Sequence, residues 1–115
     1  MTSALAFRLF SRAELDLSEF QFQPFREGVD KARLFYDEAA GHEVALIRYS
    51  PGAGVPFHTH TGYEHIFVLE GSQQDERGRY AAGSLIVNPP GSGHSVRSEG
   101  GCVILGFWER PIRFE

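Results

Sequence analysis

The chain has 115 residues, 42% of them hydrophobic and 23% charged, and carries a formal net charge of −4. That is enough chain for one domain with a core of its own. The acidic balance argues against nucleic acid as a partner, because phosphate recognition needs a clustered basic face, whereas Arg8, Arg12, Arg26, Lys31 and Arg33 are scattered among acids.

Cys102 is the only cysteine, so no intrachain disulfide and no Cys-x-x-Cys zinc ribbon can form. It sits in the apolar run Cys102-Val103-Ile104-Leu105 and reads as a buried, inert thiol. The apolar segment within residues 1–10 is short and broken by Arg8, which fits neither a secretory signal nor a membrane span. A cytoplasmic, reducing compartment is the resulting expectation.

Residues 5–10 are apolar and aromatic and read as a strand or an edge-packing segment. Residues 11–19 fit one helical turn, with Ser11 as N-cap and Glu14 closing a capping box; an extended reading with Leu15 and Leu17 on one face is almost as good. From Phe20 to Phe25 aromatics alternate with glutamines until Pro24, as in an edge strand or extended arm. Residues 29–36 form a predicted strand and 37–41 a turn. Residues 43–50 return with apolar residues on both faces, which fits a strand covered on two sides. Pro51-Gly52-Ala53-Gly54 ends it.

Residues 57–60 are predicted extended. Strand side chains alternate, so His58 and His60 project from one face. Thr61-Gly62-Tyr63 turns the chain, and Glu64 starts a second extended run over 64–69. Two imidazoles and a carboxylate meeting at a turn make an incomplete coordination sphere for a divalent first-row metal. Residues 71–78 read as a polar hairpin connection, 84–87 as a strand, and 88–93, Asn-Pro-Pro-Gly-Ser-Gly, as turn chemistry at almost every position. His94 follows at the start of a short strand, and 102–108 is the last strong strand. Strands every eight to twelve residues, punctuated by glycine and proline, indicate an all-β antiparallel sandwich or barrel. In a closed barrel His94 faces His58, His60 and Glu64, completing a set of three imidazoles and one carboxylate.

These residues resemble the cupin superfamily (RmlC-like). Its first motif is Gly, five residues, His-x-His, three or four residues, Glu, six residues, Gly, and Gly52, His58, His60, Glu64 and Gly71 match it at every position. Its second is Gly, five residues, Pro-x-Gly, two residues, His, three residues, Asn. Gly83, Pro89, Gly91 and His94 match, while Ser98 stands at the final Asn position, which is not a metal ligand in the family. More narrowly the chain is similar to the ChrR-type cupin-like domains, through residues 58–71, 88–95 and 98–105. The resemblance implies a jelly-roll-like antiparallel β-barrel, or double-stranded β-helix. Residues 1–115 would form a single cupin domain, with 1–28 as an N-terminal arm or edge strands and 29–110 as the barrel core.

It further implies one divalent metal ion on His58, His60, Glu64 and His94. Zinc is favoured by the ChrR resemblance, while the ligand types also suit iron, manganese and nickel. Ile66 and Val68 share the parity of Glu64, and Val96 that of His94, so all three are expected to line the interior. Arg48 sits in an otherwise apolar strand, where an inward arginine would hold a substrate carboxylate and an outward one would be solvated. Tyr49, Phe57, Tyr63 and Trp108 are candidates for the pocket mouth or for packing between subunits. His65 is expected to face outward and His42 to lie in a surface turn.

Two functions compete. One is a metal-binding module of sensory type that holds a small-molecule ligand over the ion. The other is an Fe(II)-dependent dioxygenase acting on a small carbonyl compound; lyase or isomerase chemistry lacks an identifiable base. In the ChrR family the sigma-binding half is a separate helical domain with its own His/Cys zinc ligands. This sequence shows none, so it is not expected to act alone as that kind of anti-sigma factor. A homodimer is expected, paired through the aromatic-rich segment 7–25 and an outer sheet face.

Overall fold

The computed structural model describes residues 15–114. The strand expected over residues 5–10, and the Ser11–Glu14 capping box, lie outside these residues. A short 3-10 turn at Leu17–Glu19 begins where Asp16 accepts a hydrogen bond from the Ser18 backbone. Ten strands follow: β1 (Gln23–Arg26), β2 (Val29–Asp37), β3 (His42–Tyr49), β4 (Gly54–His60), β5 (Glu64–Asp75), β6 (Gly78–Ala81), β7 (Leu85–Asn88), β8 (Gly93–Arg97), β9 (Cys102–Trp108) and β10 (Ile112–Phe114). All pair antiparallel, in the order β1-β2-β3-β9-β5-β8-β4-β10, with β6 and β7 also on β5. The sheet curls into the antiparallel half-barrel expected from the strand spacing.

Both faces of β3 are apolar for the predicted reason. Ala45, Ile47 and Tyr49 point into the barrel, joining Val29, Val55, Ile66, Val68, Val96, Cys102 and Ile104 in one core. Leu46, on the opposite parity, is fully buried under the outer layer, where Ala32, Leu69 and Val103 meet Leu15, Leu17, Phe20 and Phe22. The segment before β1 therefore covers the outer face of its own sheet. Burying a leucine on that second face is worth about 1.5–3 kcal/mol.

The hairpin expected as a polar connection over 71–78 is mostly strand. β5 runs on to Asp75, and β6 returns from Gly78, leaving Glu76 and Arg77 at the tip. Polar residues here do not mean solvent exposure: Gln73 and the Asp75 side chain are buried in the second half of the sheet. Gly71 makes the extension possible. A register shift between Val68 and Glu70 bends β5, and Gly71 takes φ +72° there, with the Gly101 carbonyl pressed where a Cβ would stand. One long strand thus serves two sheet halves: β7 and β9 on its first half, β6 and β8 on its second.

The short β10 was not foreseen. It pairs Ile112 with His60 and Phe114 with His58, and so places Phe114 at the rim of the barrel. His42 is not in a turn: it opens β3, half-buried, with its ring edge-on to Phe107 at 4.6 Å.

Candidate metal centre

β4 and β8 bring the first candidate ligands together. The pairing of His58 with His94 puts two imidazoles side by side, and alternation along β4 puts His60 on the same inner face as His58. Glu64, the first residue of β5, arrives after the turn 61–63. His58, His60, Glu64 and His94 are all buried, and one ligand atom from each lies within 4.8 Å of the others.

Each imidazole is oriented through its Nδ1. His58 Nδ1 lies 2.9 Å from the Pro56 carbonyl, His60 Nδ1 2.9 Å from Ser92 Oγ, and His94 Nδ1 3.0 Å from Asp75 Oδ2. That leaves the Nε2 atoms for the centre. His60 Nε2 is 3.1 Å and His94 Nε2 3.6 Å from Glu64 Oε1, yet both are buried with no aligned hydrogen-bond partner. Orphaned buried nitrogens are costly, and a cation would satisfy them. The donor set, three imidazoles and one carboxylate, can hold a divalent metal.

An outer shell locks the inner one. Glu64 Oε1 accepts from Asn88 Nδ2 at 2.9 Å, and Oε2 accepts from the Trp108 indole at 2.6 Å. Asn88 Oδ1 in turn accepts from Arg77 at 2.9 Å. The Arg77 backbone N–H and the Tyr80 hydroxyl both donate to Asp75 Oδ1. The path His94–Asp75–Arg77–Asn88–Glu64 therefore links two ligands through the β5–β6 hairpin. A carboxylate behind a histidine fixes its tautomer and raises its basicity as a ligand.

Protonation states suit a cation. Burial alone would push the Glu64 carboxyl up, but adjacent His60, then His94 and the Trp108 indole, outweigh it and hold the carboxyl below its usual range. Burial likewise opposes ionisation of Asp75, and His94, Arg77 and Tyr80 together hold it low. Burial lowers the His58 imidazole, assisted by neighbouring His94 and His60 and opposed by the Pro56 carbonyl and Glu64. A neutral imidazole with a free Nε2 is the form that binds a metal.

The model of the ChrR cupin-like domain matches residues 11–109. The chain belongs to this family. It is 31% identical over 101 residues to the anti-sigma-E factor ChrR of Cereibacter sphaeroides, covering 85% of this chain and 46% of that protein. The chain thus spans about half the length of the curated relative it matches. Among solved structures, Rhodobacter sphaeroides SigE in complex with the anti-sigma ChrR aligns with TM-score 0.72 and 26% identity, covering 81% of this chain and 51% of that one. A putative acetylacetone dioxygenase from Methylibium petroleiphilum aligns with TM-score 0.82 over 100% of this chain and 85% of that one. At 14% identity, that likeness shows the fold alone.

A cavity of about 210 Å³ opens beside the ligands of this cupin-like domain, with His58, Glu64 and His94 on its wall. Of the other residues singled out from the sequence, Ile66 and Val96 line it, as do Tyr49 and Trp108. Val68 is fully buried in the core and is not part of the cavity wall. Arg48 does not reach the cavity either. It shares the outer parity of Leu46, pairs with Asp30 at 3.4 Å and stacks 4.0 Å over the Phe22 ring. Phe57 and Tyr63 are exposed and stand away from the cavity. His65 points to the outer face, edge-on to Phe107. Cys102 is buried and its thiol is pushed up by burial, as expected of an inert thiol.

Asp75, Asn88 and Ser92 were missed because they lie in stretches that read only as hairpin or turn. Asn88 is 1% exposed, which no surface turn residue would be. Ser98, at the family's Asn position, is fully buried, and its hydroxyl donates to the Ser72 carbonyl at 2.7 Å. It ties β8 to the extension of β5, a structural task away from the ligands. Lys31, Arg33 and Glu43 also line the cavity. Residue parity within β2 and β3 was the available signal for them: they alternate with Ala32 and Leu46 and so face inward.

Proposed function

We propose that this ChrR-like cupin domain holds one divalent metal ion on His58, His60, Glu64 and His94, and a small-molecule ligand beside it in the adjoining cavity. The observation that carries this reading is the pair of orphaned, buried Nε2 atoms of His60 and His94 aimed at a carboxylate already held by two donors. The family resemblance favours zinc, while the ligand set suits iron, manganese and nickel as well. When bound, the ion would supply Lewis acidity and an exchangeable position for a ligand oxygen. The chain itself contributes an apolar wall of Ile47, Val55, Ile66, Val96 and Ile104 that keeps bulk water from the ligand.

The second reading is an Fe(II)-dependent dioxygenase acting on a small carbonyl compound, supported by that apolar wall and by the likeness in fold to the acetylacetone dioxygenase structure. Elemental analysis of protein purified without chelator, followed by oxygen uptake on small diketones, separates the two. Stoichiometric zinc with no oxygen consumption supports the binding module, and iron with substrate-dependent uptake supports the enzyme. His60→Ala and Glu64→Ala are expected to abolish metal retention; full occupancy in either variant would sink both readings.

Two further proposals concern partners and place. The outer face of β7, β5 and β9 exposes Leu85, Val87, Phe67 and Phe107, an apolar patch suited to a second copy of the chain. A dimeric mass by light scattering, reduced to monomeric by Leu85→Glu, is the expected result. A sigma factor is the partner of the ChrR structure. For this chain it is a partner to test by co-purification, with no binding expected of the cupin-like domain alone. No helix among the described residues is long and apolar enough to cross a membrane, and a cytoplasmic location is a proposal that fractionation would check.

A further inference from the structure

The stretch of cavity wall beyond Trp108 from Glu64 is charged, and the charges do not balance. On the inner faces of β2 and β3, Lys31 and Arg33 both pair with Glu43: Lys31 Nζ at 3.1 Å and Arg33 Nε at 2.5 Å, each to Oε2. All three residues line the cavity. Two cations against one carboxylate leave a net positive charge, and one carboxylate cannot use the three donors of lysine and the five of arginine. The cations are also steered by aromatic faces at the mouth. The Lys31 ammonium lies 5.2 Å from the Phe25 ring centre, the Arg33 guanidinium 4.0 Å over Tyr36, and the Arg26 guanidinium 4.1 Å over Phe114. Phe25, Tyr36 and Phe114 line the same cavity. A ring face orients a cation without neutralising it.

Between this rim and the ligands the wall is apolar, and Trp108 bridges the two. Its backbone is paired with Glu43 on one side and Glu64 on the other. Its ring packs against Gly106, filling the space a Cβ would take.

We propose that Lys31 and Arg33 form an anion-recognition site in the cavity mouth, and that the small molecule taken by this cavity carries a carboxylate at one end of a short apolar body. This deepens the reading given above, since it names the class of that ligand, but the rim acts whether or not a metal is bound. Glu43 holds the two cations in place in the empty cavity and yields part of their donor capacity when a carboxylate enters. The unused guanidinium and ammonium N–H groups then donate to the incoming oxygens in charge-assisted hydrogen bonds. The other end of the molecule lies toward His58, Glu64 and His94.

The test uses a matched pair of probes of one shape, levulinate and 2,5-hexanedione, which differ in carrying a carboxylate or a neutral acetyl group. Binding of each is measured by calorimetry to the metal-loaded and the metal-stripped protein, with metal content determined alongside. Levulinate is expected to bind about tenfold more tightly than the diketone in both forms. In Lys31→Met/Arg33→Gln the preference is expected to fall to about twofold or less with metal content unchanged. Glu43→Gln frees both cations and is expected to tighten levulinate, an opposite sign that a merely structural ion pair would not give. Equal binding of the two probes, no binding of levulinate, a preference that survives in the double variant, or weaker levulinate binding in Glu43→Gln overturns the proposal. Absence of metal from the purified protein would instead defeat the metal reading and leave the discrimination in the stripped form to decide this one.

Discussion

The two walls of the cavity use polar groups in opposite ways. On the wall of β4, β5 and β8, the three imidazoles and Glu64 are held from behind: each imidazole Nδ1 has one partner, and both Glu64 oxygens have a donor. On the wall of β2 and β3, two cations share a single carboxylate and lean on aromatic rings. Arg33 is about half exposed there, with its side chain at 49%. The first wall is held in one geometry, which would suit an ion. The second keeps spare donors near solvent, which suits a ligand that comes and goes.

The largest break in this contrast comes from removing a prop of the rigid wall. Asp75→Ala takes the carboxylate from behind His94 and also releases Tyr80 and Arg77. It is expected to weaken metal affinity by about 10–100-fold with the fold retained, read by competition with a chromophoric chelator; an unchanged affinity would show that His94 needs no prop. Gly106→Ala strikes the strip between the walls. A Cβ there would stand 2.7 Å from the Trp108 ring atoms Cζ2 and Cζ3, so the indole must move off Glu64. A loss of about 1–3 kcal/mol is expected in urea unfolding, together with a change in tryptophan fluorescence.

Acid sharpens the contrast further. The His58 imidazole is lowered from 6.5, chiefly by burial, so between that value and its folded value the unfolded chain binds a proton that the folded one refuses. Stability of the metal-free protein is therefore full above about pH 6.5 and falls as the pH drops through that window. Glu64 and Asp75 are also lowered, and their stabilising share goes only below the ordinary carboxylate range. Urea midpoints from pH 7.5 to 5.5 are expected to decline, and to decline less in His58→Gln; a flat profile would contradict the burial argument. The smallest effect is predicted for Arg48→Ala. Its ion pair is exposed and lies on the outer face, so stability should change by about 0.5 kcal/mol or less, with metal content and probe binding unaltered.

The four residues that could hold a metal were legible because histidine spacing on a strand and glycine–proline punctuation are local signals. His58 and His60 share a face by alternation alone, and the turn over 61–63 brings Glu64 back. Arg48 shows the limit of the same rule. Parity says that residues 46 and 48 share a face, but an apolar residue on each face of β3 hides which face is the interior. The N-terminal segment settles it: Phe20 and Phe22 cover the outer side, and Arg48 goes with them. Asp75 and Asn88 were illegible for a different reason. Polar residues beside glycine and proline resemble solvent-exposed turns until a distant histidine or glutamate is seen to need them.

The sequence by itself determined the strand pattern, the antiparallel barrel, the family and the identities of the residues that can hold an ion, because each depends on spacing along the chain. Only the tertiary structure decided what stands behind and across from them. The bend at Gly71 carries Asp75 to His94, and the row of Glu43, Trp108 and Glu64 across three strands sets a cationic rim beside the ligands. Pairings of that kind join residues far apart in the chain, and they arise from register and sheet curvature, which no local pattern encodes.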